Sequence, residues 1–385
     1  MEAVLPLRRA RGSMRPYAIV ARDFVRTGGM DRANLGLADF LARAGAPVHI
    51  VAHHASGDLV AHPNVTFHRM PKPFHRYSLG APLLAGAGIV QALSVARRGG
   101  VVVVNGGNCI VPGINWVHYV HAAFDPRLAG AAQVHRRIAL VTESLALRAA
   151  KIVVVNSHRT RRDVIERVGV PADRVHTLYL GVDAARFALV GPDERTRARK
   201  ALGWSDDRAR VAFIGALGDR RKGFDVLYDA WRRLCAAPSW DADLVVVGEG
   251  AELRAWRERA AREGMSARIA FLGFRRDVPA ILAACDALVA PSRYEPYGLG
   301  VHEALCRGLP AIVAATAGVA ERYPESLRAL LLEDAESAAE VAAALERWRA
   351  STDRIRAELV AFSHSLRVRG WDDVAREFVA LSEAA

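Results

Sequence analysis

The sequence has few cysteines, and their spacing excludes several classes of protein. Four occur in 385 residues, Cys109, Cys235, Cys285 and Cys306. No two of them form a CxxC pair, so neither a CxxC centre nor a dense disulfide framework is expected. Because each has an apolar neighbour, we expect reduced thiols in the core of a cytoplasmic protein.

Long apolar runs and a secretory leader are also missing. No uninterrupted apolar stretch approaches the roughly 18–20 residues of a membrane span. The segment Met1–Arg11 has too short an apolar core for a secretory signal. Because Met14 opens the first convincing strand, we expect residues 1–13 to be a disordered extension, or one that is not translated.

Length and charge narrow the class of protein further. A chain of 385 residues is longer than one hydrophobic core usually grows, so two domains are expected. The net charge of +12 favours anionic partners, such as nucleotide phosphates, anionic lipid headgroups or nucleic acid. No basic cluster with interleaved aromatics, helix-turn-helix or zinc pattern occurs, so we expect no nucleic-acid partner.

Short Val/Ile-rich runs alternate with longer helical patterns, which is typical of βαβ units and parallel sheets. In the first helix Leu37, Phe40 and Leu41 repeat at i, i+3 and i+4, and Gly45 ends the pattern. A long helix is predicted over Pro126–Ala149. The predicted strands of this half are Tyr17–Ala21, Val48–His53, Val65–Arg69, Val101–Asn105, Asn115–His121, Ile152–Asn156 and Val175–Leu180.

A second α/β series follows the polar, charged residues 188–208. Its predicted strands are Val211–Gly215, Leu244–Gly248, Ile269–Gly273, Ala287–Ala290, Ala311–Ala314 and Ala329–Leu332. We therefore predict a first domain at 14–190, a linker at 191–208, a second domain at 209–365, and a C-terminal segment at 366–385 whose helix packs back on the first domain. Doubly wound sheets bind ligands at the carboxyl ends of their strands, so we expect the site in the cleft between the domains.

Two glutamates, Glu295 and Glu303, flank the predicted start of a helix that follows the apolar strand Asp286–Pro291. The N–H groups and partial positive charge of a helix N-terminus make it an anion site. Glu303 would lie about five helical residues further, roughly 7–8 Å along the axis. This resembles the span from a sugar to the ribose of a nucleotide sugar. The alternative is that both carboxylates only complement the helix dipole or meet solvent.

Ordered landmarks along the chain carry a resemblance to a known family. They are Gly28-Gly29 after the first strand, Val154-Val-Asn-Ser157, Gly181-Val-Asp183 with Phe187, Arg221-Lys-Gly223, Val247-Gly-Glu-Gly250, Phe271-Leu-Gly-Phe274, Pro291-Ser292 and the two glutamates. With these motifs in this order, the sequence resembles the retaining glycosyltransferases of family 4 from about Tyr17 to Phe378. The resemblance implies an α/β protein of GT-B fold, with two Rossmann-like, doubly wound parallel-sheet domains facing across a cleft.

The resemblance also implies roles for the sugar and nucleoside ends of a donor. Glu295 would contact the hydroxyls of the donor hexose, and Glu303 would contact the ribose. The backbone around Phe274 would hold the base. The alternative for Phe274 is packing in the core, and the two are compatible because only its backbone is needed.

The diphosphate would lie between these ends. The resemblance implies that the backbone N–H groups of Tyr297, Gly298 and Leu299 bind it. Lys222 would add a positive charge, unless it is simply an exposed loop lysine.

One departure from the family pattern concerns a phosphate-binding arginine. The family often has arginine where this chain has Ala216. Arg220 or Arg221, in the same loop, could restore the charge, and we favour Arg220. A proline, Pro296, follows Glu295, but this change removes no charge that the donor needs.

The first half contributes candidates of its own. Gly28 and Gly29 would let backbone approach the diphosphate closely, although they could equally form an ordinary tight turn. His118 and His121 point to opposite faces of their predicted strand, so only one can easily meet the donor. His121 matches the family's active-site histidine, and we expect His118 to pack internally. Further candidates after another strand are Ser157 and His158.

The reaction implied is transfer of a sugar from a nucleoside-diphosphate sugar to an acceptor hydroxyl, with retention at the anomeric carbon. No aspartate-rich DxD motif lies in the cleft segments, so we expect no obligatory metal and no other cofactor. Two other functions stay open. One is a related enzyme activity, such as an NDP-sugar 2-epimerase or a phosphorylase, although no pyridoxal-phosphate lysine motif is visible. The other is a non-catalytic nucleotide-sugar-binding protein.

The nucleotide base, the sugar and the acceptor are not specified by any motif. The basic, aromatic stretch Arg69–Leu79 precedes an amphipathic helix predicted at Ala81–Ala96. The stretch could contact anionic lipid and serve a lipid-linked acceptor, or it could form an ordinary loop over the acceptor cleft. We expect a cytoplasmic enzyme of bacterial polysaccharide or glycolipid synthesis, with a peripheral contact at the inner face of the membrane.

Overall fold

The structure is a computed structural model that describes residues 14–126, 130–205 and 207–383, without the Ala131 side chain. The extension predicted at 1–13 lies outside the described residues. The chain forms two compact units. The first contains residues 14–117, 135–154 and 375–383, and the second contains the described residues of 118–134 and 155–374.

Strands and helices alternate along both halves of the chain, as predicted. The strands are β1 Tyr17–Val20, β2 Asp23–Phe24, β3 Val48–Ala52, β4 His54–Ala55, β5 Val65–Arg69, β6 Val101–Val104, β7 Ile114–Val117, β8 Ile152–Val155, β9 Val175–Thr177, β10 Ala209–Ile214, β11 Ala242–Val247, β12 Ile269–Gly273, β13 Ala287–Ala290, β14 Ala311–Ala314 and β15 Leu331–Leu332. The α-helices are α1 Gly29–Arg43, α2 Gly57–Val60, α3 Tyr77–Arg97, α4 Gly130–Ala149, α5 His158–Asp163, α6 Pro192–Leu202, α7 Phe224–Cys235, α8 Leu253–Arg262, α9 Val278–Ala284, α10 Leu299–Cys306, α11 Ala338–Ala350, α12 Thr352–Arg367 and α13 Trp371–Glu383.

Two parallel sheets organise these elements. One has the strand order β5-β3-β1-β6-β7-β8-β9 and the other has β12-β11-β10-β13-β14-β15. β1 pairs in parallel with β3 and β6, and β10 pairs in parallel with β11 and β13. Parallel neighbours need crossover connections, which α-helices supply for most pairs, whereas β6 and β7 are joined by a segment with a 3-10 turn at Gly106–Asn108. The α/β class with two parallel-sheet domains is thereby confirmed.

Continuous apolar runs form the centres of the two sheets. All four residues of β1 and all six of β11 are buried, as expected for strands covered on both faces. Leu37 and Leu41 of α1 are buried as their spacing predicts, and Gly45 follows the helix with a φ of 90°. At the C-terminus, α13 packs within the first unit, where the Phe378 ring lies 4.9 Å from that of Trp116.

The structure differs from the sequence prediction at three segments. The strand expected at Asn115–His121 ends at Val117, and His121–Ala123 form a 3-10 turn. The strand expected at Ala329–Leu332 shrinks to two residues because Glu325–Leu330 form a 3-10 helix. The segment 191–208, predicted as a linker, contains helix α6. Because most residues of α6 are charged or polar, the sequence shows no apolar helical periodicity there.

The helix predicted at Ala81–Ala96 is present within α3, but the prediction that it is amphipathic is wrong. Helix α3 has an inner face of small and apolar residues on the sheet, and its outer face is apolar too. Among the described residues it is the one helix long and apolar enough to cross a membrane, judged by length and composition, and 28% of its most apolar window is buried. Its longest uninterrupted apolar run, between Ser78 and Gln91, is still shorter than a membrane span.

Asp286 anchors α6 and α12 beneath the second sheet. Its carboxylate accepts hydrogen bonds from Arg195 Nη2 at 2.5 Å, Arg199 Nη2 at 2.6 Å and Arg356 Nη2 at 3.1 Å. It also accepts one from the Arg210 backbone N–H at 2.8 Å. Because the Arg199 side chain is only 3% exposed, its charge depends on this carboxylate for compensation.

Replacing Asp286 with asparagine should therefore destabilise the second unit by about 3 kcal/mol, since loss of one partner leaves a buried charge uncompensated. Asp241→Asn is the matched control, because Asp241 is 45% exposed and pairs with Arg349 at the surface, where a pair contributes at most about 1 kcal/mol. Urea unfolding of both variants measures the difference. Equal losses of stability would contradict this account of Asp286.

Candidate functional site

The candidate site begins where the chain leaves β13 and enters α10. Gly298 precedes the helix with a φ of 100°, a left-handed conformation that favours glycine. A Cβ atom there would lie 3.1 Å from Val319 Cγ1 and 3.2 Å from Glu295 Cγ. The helix start predicted near Tyr297-Gly298-Leu299 is confirmed. The N–H groups of Val301 and His302 donate to the Gly298 carbonyl, whereas those of Leu299 and Gly300 have no acceptor within their own helix.

Glu295 and Lys222, which the sequence places 73 residues apart, meet directly in front of this helix. Lys222 Nζ donates to Glu295 Oε2 at 2.6 Å, and Arg221 Nη1 lies 3.8 Å from Glu295 Oε1. The Glu295 side chain is 15% exposed and that of Lys222 is 22% exposed. Burial alone would raise the pKa of Glu295, but the charges of Lys222 and Arg221 outweigh it and lower that pKa below its usual value.

A tight turn brings Lys222 to this position. Arg220–Lys222 form a 3-10 turn, and the Asp219 side chain accepts a hydrogen bond from the Arg221 N–H at 3.1 Å. Gly223 ends the turn with a φ of 71°, and a Cβ atom on it would lie 2.0 Å from the Pro291 carbonyl oxygen. Only glycine lets the turn approach the 291–298 loop this closely.

The two arginines of the turn differ in their surroundings. Arg221 is 18% exposed, donates to the Tyr294 carbonyl at 3.2 Å and to Asp219 at 3.0 Å, and so is held beside Glu295. Arg220 is 66% exposed, with its guanidinium 3.5 Å from Asp225. The preference for Arg220 as the phosphate-binding arginine stays a prediction, although Arg221 lies nearer to the carboxylate.

Two glycines place the loop after β11 against the loop after β10. Leu217 N–H donates to the Glu249 carbonyl at 2.9 Å. A Cβ atom on Gly248 would lie 2.0 Å from the Gly215 carbonyl oxygen, and one on Gly250 would lie 1.8 Å from that of Leu217. The motif Val247-Gly-Glu-Gly250 therefore serves a backbone-to-backbone contact, which fixes the loop that carries Ala216.

Phe274 does not pack in the core. Its side chain is 54% exposed, so the core-packing alternative is wrong. Gly273 precedes it with a φ of 71°, and the Phe274 N–H points to Glu249 Oε1 at 3.4 Å. The role of its backbone in holding a base stays a prediction.

Helix α10 carries two buried polar side chains, Glu303 and His302. Glu303 is 5% exposed, and its contact with a ribose stays a prediction. The Tyr297 hydroxyl lies 2.6 Å from His302 Nδ1. Burial lowers the pKa of His302 to about 3 and raises that of Tyr297, so the imidazole is neutral and shares a hydrogen bond with the intact phenol. This pair fixes the residue before Gly298, and no spacing in the sequence pointed to it.

An aromatic cluster connects His121 to the Glu295 loop within the second unit. The Tyr119 ring lies 5.0 Å from the His121 ring and 5.3 Å from the Tyr294 ring, both edge-on. The Arg221 guanidinium lies 5.6 Å from the Tyr119 ring. His121, at the start of its 3-10 turn, and His118 are both half-buried, and burial lowers the pKa of His118 to about 3.

Ser157 supports the Glu295 loop from behind. Its hydroxyl is buried, caps α5 by accepting from the Thr160 N–H at 3.0 Å, and donates to the Pro296 carbonyl at 2.6 Å. His158 is exposed, and its backbone N–H donates to Glu321 at 2.9 Å. Ser157 thus positions the loop rather than facing a ligand.

Gly28 and Gly29 lie in the first unit, where α1 begins. Gly28 has a φ of 81°, and a Cβ atom on it would lie 2.9 Å from Asp31 Oδ2. Burial, followed by the charge of Asp23, raises the pKa of Asp31 to about 7. Asp31 Oδ1 is buried without a hydrogen-bond partner among the described residues, so this helix start carries an unsatisfied acceptor.

Asp23 beside it binds two residues that no sequence pattern singled out. Its carboxylate accepts from the Tyr77 hydroxyl and lies 2.8 Å from His54 Nδ1.

Within the part of the chain that the structure describes, no group of three or more His, Cys, Asp or Glu side chains is placed to hold a metal ion. The cysteines are free, with Cys235 half-buried and the other three buried.

Comparison with known proteins shows which families and solved structures the chain resembles. Residues 27–186 match the family described as Glycosyltransferase Family 4, and residues 208–350 match that described as Glycosyl transferases group 1. The crystal structure of WaaG, a glycosyltransferase involved in lipopolysaccharide biosynthesis, superposes with a TM-score of 0.77 at 19% identity, covering 96% of this chain and 100% of WaaG. The fold is thus that of the GT-B glycosyltransferases. The matches to the two halves, in this order, show that the chain is a glycosyltransferase similar to those of family 4.

Three further proteins illustrate the range of similarity. The D-inositol 3-phosphate glycosyltransferase of Salinispora tropica is 27% identical over 80% of this chain and 70% of its own length. The lipopolysaccharide core biosynthesis mannosyltransferase LpsB of Rhizobium meliloti is 35% identical over 38% of this chain and 42% of its own. Anabaena HepE, solved in complex with UDP-glucose, has a TM-score of 0.69 at 19% identity and covers 96% of this chain and 100% of its own. The chain spans about half the length of several curated relatives that it matches.

The Lys222–Glu295 pair predicts a pH-dependent contribution to stability. Because the pKa of Glu295 is lowered on folding, its stabilisation is present above pH 4.5 and disappears as the pH falls through the folded-state pKa. Glu295→Gln should therefore lower the free energy of unfolding by about 1.5–3 kcal/mol at pH 7, as for other hydrogen bonds to charged groups, and progressively less in acid.

Urea unfolding across this pH range tests the prediction. Glu258→Gln is the control, because Glu258 pairs with Arg254 on an exposed helix face and should change stability by no more than about 0.5 kcal/mol. A gap between wild type and Glu295→Gln that widens in acid would contradict the assignment.

Proposed function

We propose that the protein is a retaining glycosyltransferase, which moves a sugar from a nucleoside-diphosphate sugar to an acceptor hydroxyl in polysaccharide or glycolipid synthesis. The single observation that carries the proposal is the contact between Lys222 Nζ and Glu295 Oε2 at 2.6 Å, in front of the α10 N-terminus. Cations and helix N–H groups together suit a diphosphate. The UDP-glucose in the HepE structure supports a nucleotide sugar as the donor.

Lys222 has the hydrogen-bonding capacity that the proposal requires. An ammonium carries three N–H donors, of which one binds Glu295 in the structure. The remaining donors suit diphosphate oxygens, while the second oxygen of Glu295 suits a sugar hydroxyl. The side chain of Arg221, held beside Glu295 by Asp219 and Tyr294, keeps positive charge close to the leaving group.

In the proposed step the bond between the anomeric carbon and the diphosphate oxygen breaks as the acceptor oxygen bonds to the same face of that carbon. The acceptor proton passes to the leaving diphosphate, so no protein nucleophile is required. The protein stabilises the charge that develops on the diphosphate by preorganised N–H groups and cations and aligns the acceptor.

With Lys222 and Arg221 in this role, we propose that no metal ion is obligatory. We also propose a lipid-linked acceptor and a position in the cytoplasm at the inner face of the membrane. The free thiols support the cytoplasmic position.

The first test identifies the donor. UDP-, GDP- and ADP-sugars are compared by thermal shift, since a ligand at 100 times its Kd adds about 2.7 kcal/mol of stability. The donor found is then incubated with and without acceptor, and the anomeric configuration of the product is read by NMR. Retention with acceptor-dependent turnover is expected. An inverted product, or an epimer formed from the donor alone, would contradict the proposal.

Substitution of Glu295 and of Glu303 should affect different constants, kcat in the first case and donor Kd in the second. Glu295→Gln should lower kcat about 100-fold with donor Kd changed less than about threefold, because this carboxylate orients the reacting sugar. Glu303→Gln should raise donor Kd about tenfold with a smaller change in kcat, because it is proposed to bind the ribose. Steady-state kinetics and donor titration separate the two effects.

Glu325→Gln is the matched control, since Glu325 is 90% exposed and pairs only with Arg328 in the described structure. It should leave both constants unchanged. Small, equal effects of all three substitutions would contradict the proposed roles of Glu295 and Glu303.

A further inference from the structure

Helix α3 is fixed to the first sheet by its inner face. Gly80 and Gly88 lie on that face, where a Cβ atom would be 2.5 Å from the His53 ring and 2.8 Å from Val20 Cγ1, respectively. Leu84 and Val95 are buried on the same face. The helix therefore belongs to the folded first unit, and its removal would open the core around β1.

The outer face of α3 is apolar as well. A helix that is hydrophobic all round is usually covered on every side, but this one leaves large side chains in solvent. Leu83 is 45% exposed and Val90 is 62% exposed. The exposed apolar residues of the outer face and its first turn are Tyr77, Leu79, Leu83, Ile89, Val90 and Leu93.

The loop before α3 extends this face. Phe74 is 86% exposed and has a φ of 51°, followed by His75 with a φ of 57°. Two consecutive left-handed residues other than glycine are uncommon and energetically unfavourable. The loop thus holds an aromatic ring out in solvent at the end of an apolar helix.

Helix α4 adds a second apolar stripe in the same unit. Ile138, Val141 and Leu145 are each more than half exposed and recur at i, i+3 and i+7, so they share one face. The turn Gly106–Asn108 and Cys109 lie between the two helices. Cys109 Sγ contacts the α3 backbone at Ala85 O, and a Cβ atom on Gly107 would touch Thr142 and Glu143 of α4.

The exposed charges of the chain segment that carries α3 have one sign. No aspartate or glutamate occurs between Asp58 and Asp125, whereas five arginine and lysine residues do. Arg76 precedes α3, and Arg97 and Arg98 end it, all three exposed. Glu143 on α4 is only 2% exposed. An apolar strip about 31 Å long, from 21 residues at 1.5 Å each, therefore has basic residues at both ends.

We propose that this surface, formed by Phe74 and the outer faces of α3 and α4, docks on an anionic lipid membrane. Apolar side chains enter the interface while flanking cations meet anionic headgroups. A symmetric dimer uses the same patch on both subunits. Because both ends of this patch are basic, such a dimer would bring arginines of the two copies close together. The inner face of α3 keeps the helix on the sheet, so it lies along the membrane and does not span it. This inference is independent of the proposed reaction.

Vesicle co-sedimentation of the full chain without donor tests the proposal. Vesicles of phosphatidylcholine with about 30% phosphatidylglycerol are compared with pure phosphatidylcholine, at about 0.1 M and about 1 M salt. The wild type should bind the anionic vesicles, more weakly at high salt and more weakly to neutral lipid. Leu83→Gln with Val90→Gln should lower the partition coefficient at least about tenfold, and Arg97→Gln with Arg98→Gln should remove most of the salt dependence.

The matched control is Val360→Gln with Val368→Gln, two apolar residues of the second unit that are 54% and 68% exposed. It should bind like the wild type. Melting temperatures and light-scattering masses of all variants show whether each is folded and monomeric. A wild type that stays in the supernatant, or a surface variant that binds as well as the control, would overturn the proposal. So would a wild-type dimer that the Leu83/Val90 variant converts to a monomer.

Discussion

The candidate site depends on one ion pair, formed by Lys222 and Glu295 across 2.6 Å. Neither side chain could reach this position from an ordinary turn. Gly223 lets the first segment come within contact of Pro291, and Gly298 lets the second segment turn back into α10. The electrostatics of the site are therefore a consequence of two left-handed glycines, since each brings one partner to the same point in front of a helix.

The surroundings of the Lys222–Glu295 pair fix both side chains and leave them partly exposed to solvent. Tyr294 and Tyr119 pack beside it, Arg221 is fixed by Asp219, and Ser157 binds the Pro296 carbonyl from below. The side chains of Lys222 and Glu295 nevertheless keep about a fifth of their surface in solvent. Rigid support combined with partial access is what a preorganised anion site requires, because such a site pays no reorganisation energy when charge develops.

The architecture could be predicted from the sequence because it rests on local patterns. Continuous apolar runs such as β11 have few alternatives to a buried parallel strand, and Gly45 marks a helix end by its conformational freedom. What failed depends on tertiary contacts. The amphipathic pattern predicted for α3 is absent, because apolar residues such as Val90 also lie on its exposed face. His121 lies outside a strand because β7 ends at Val117.

The site was predictable in composition but not in geometry. The sequence identifies Glu295 and Lys222 as candidates, yet no spacing shows that they bind each other, that Arg221 rather than Arg220 lies beside the carboxylate, or that Tyr297 is locked by His302. These features arise where distant segments meet. Patterns along one segment cannot contain them.

The most direct measurement is a crystal structure of the protein with the nucleoside diphosphate that most raises its melting temperature. The account predicts phosphate oxygens within hydrogen-bonding distance of Lys222 Nζ and of the first N–H groups of α10, with Glu295 still beside the lysine. A nucleotide bound elsewhere, with the Lys222–Glu295 pair untouched by phosphate, would contradict it.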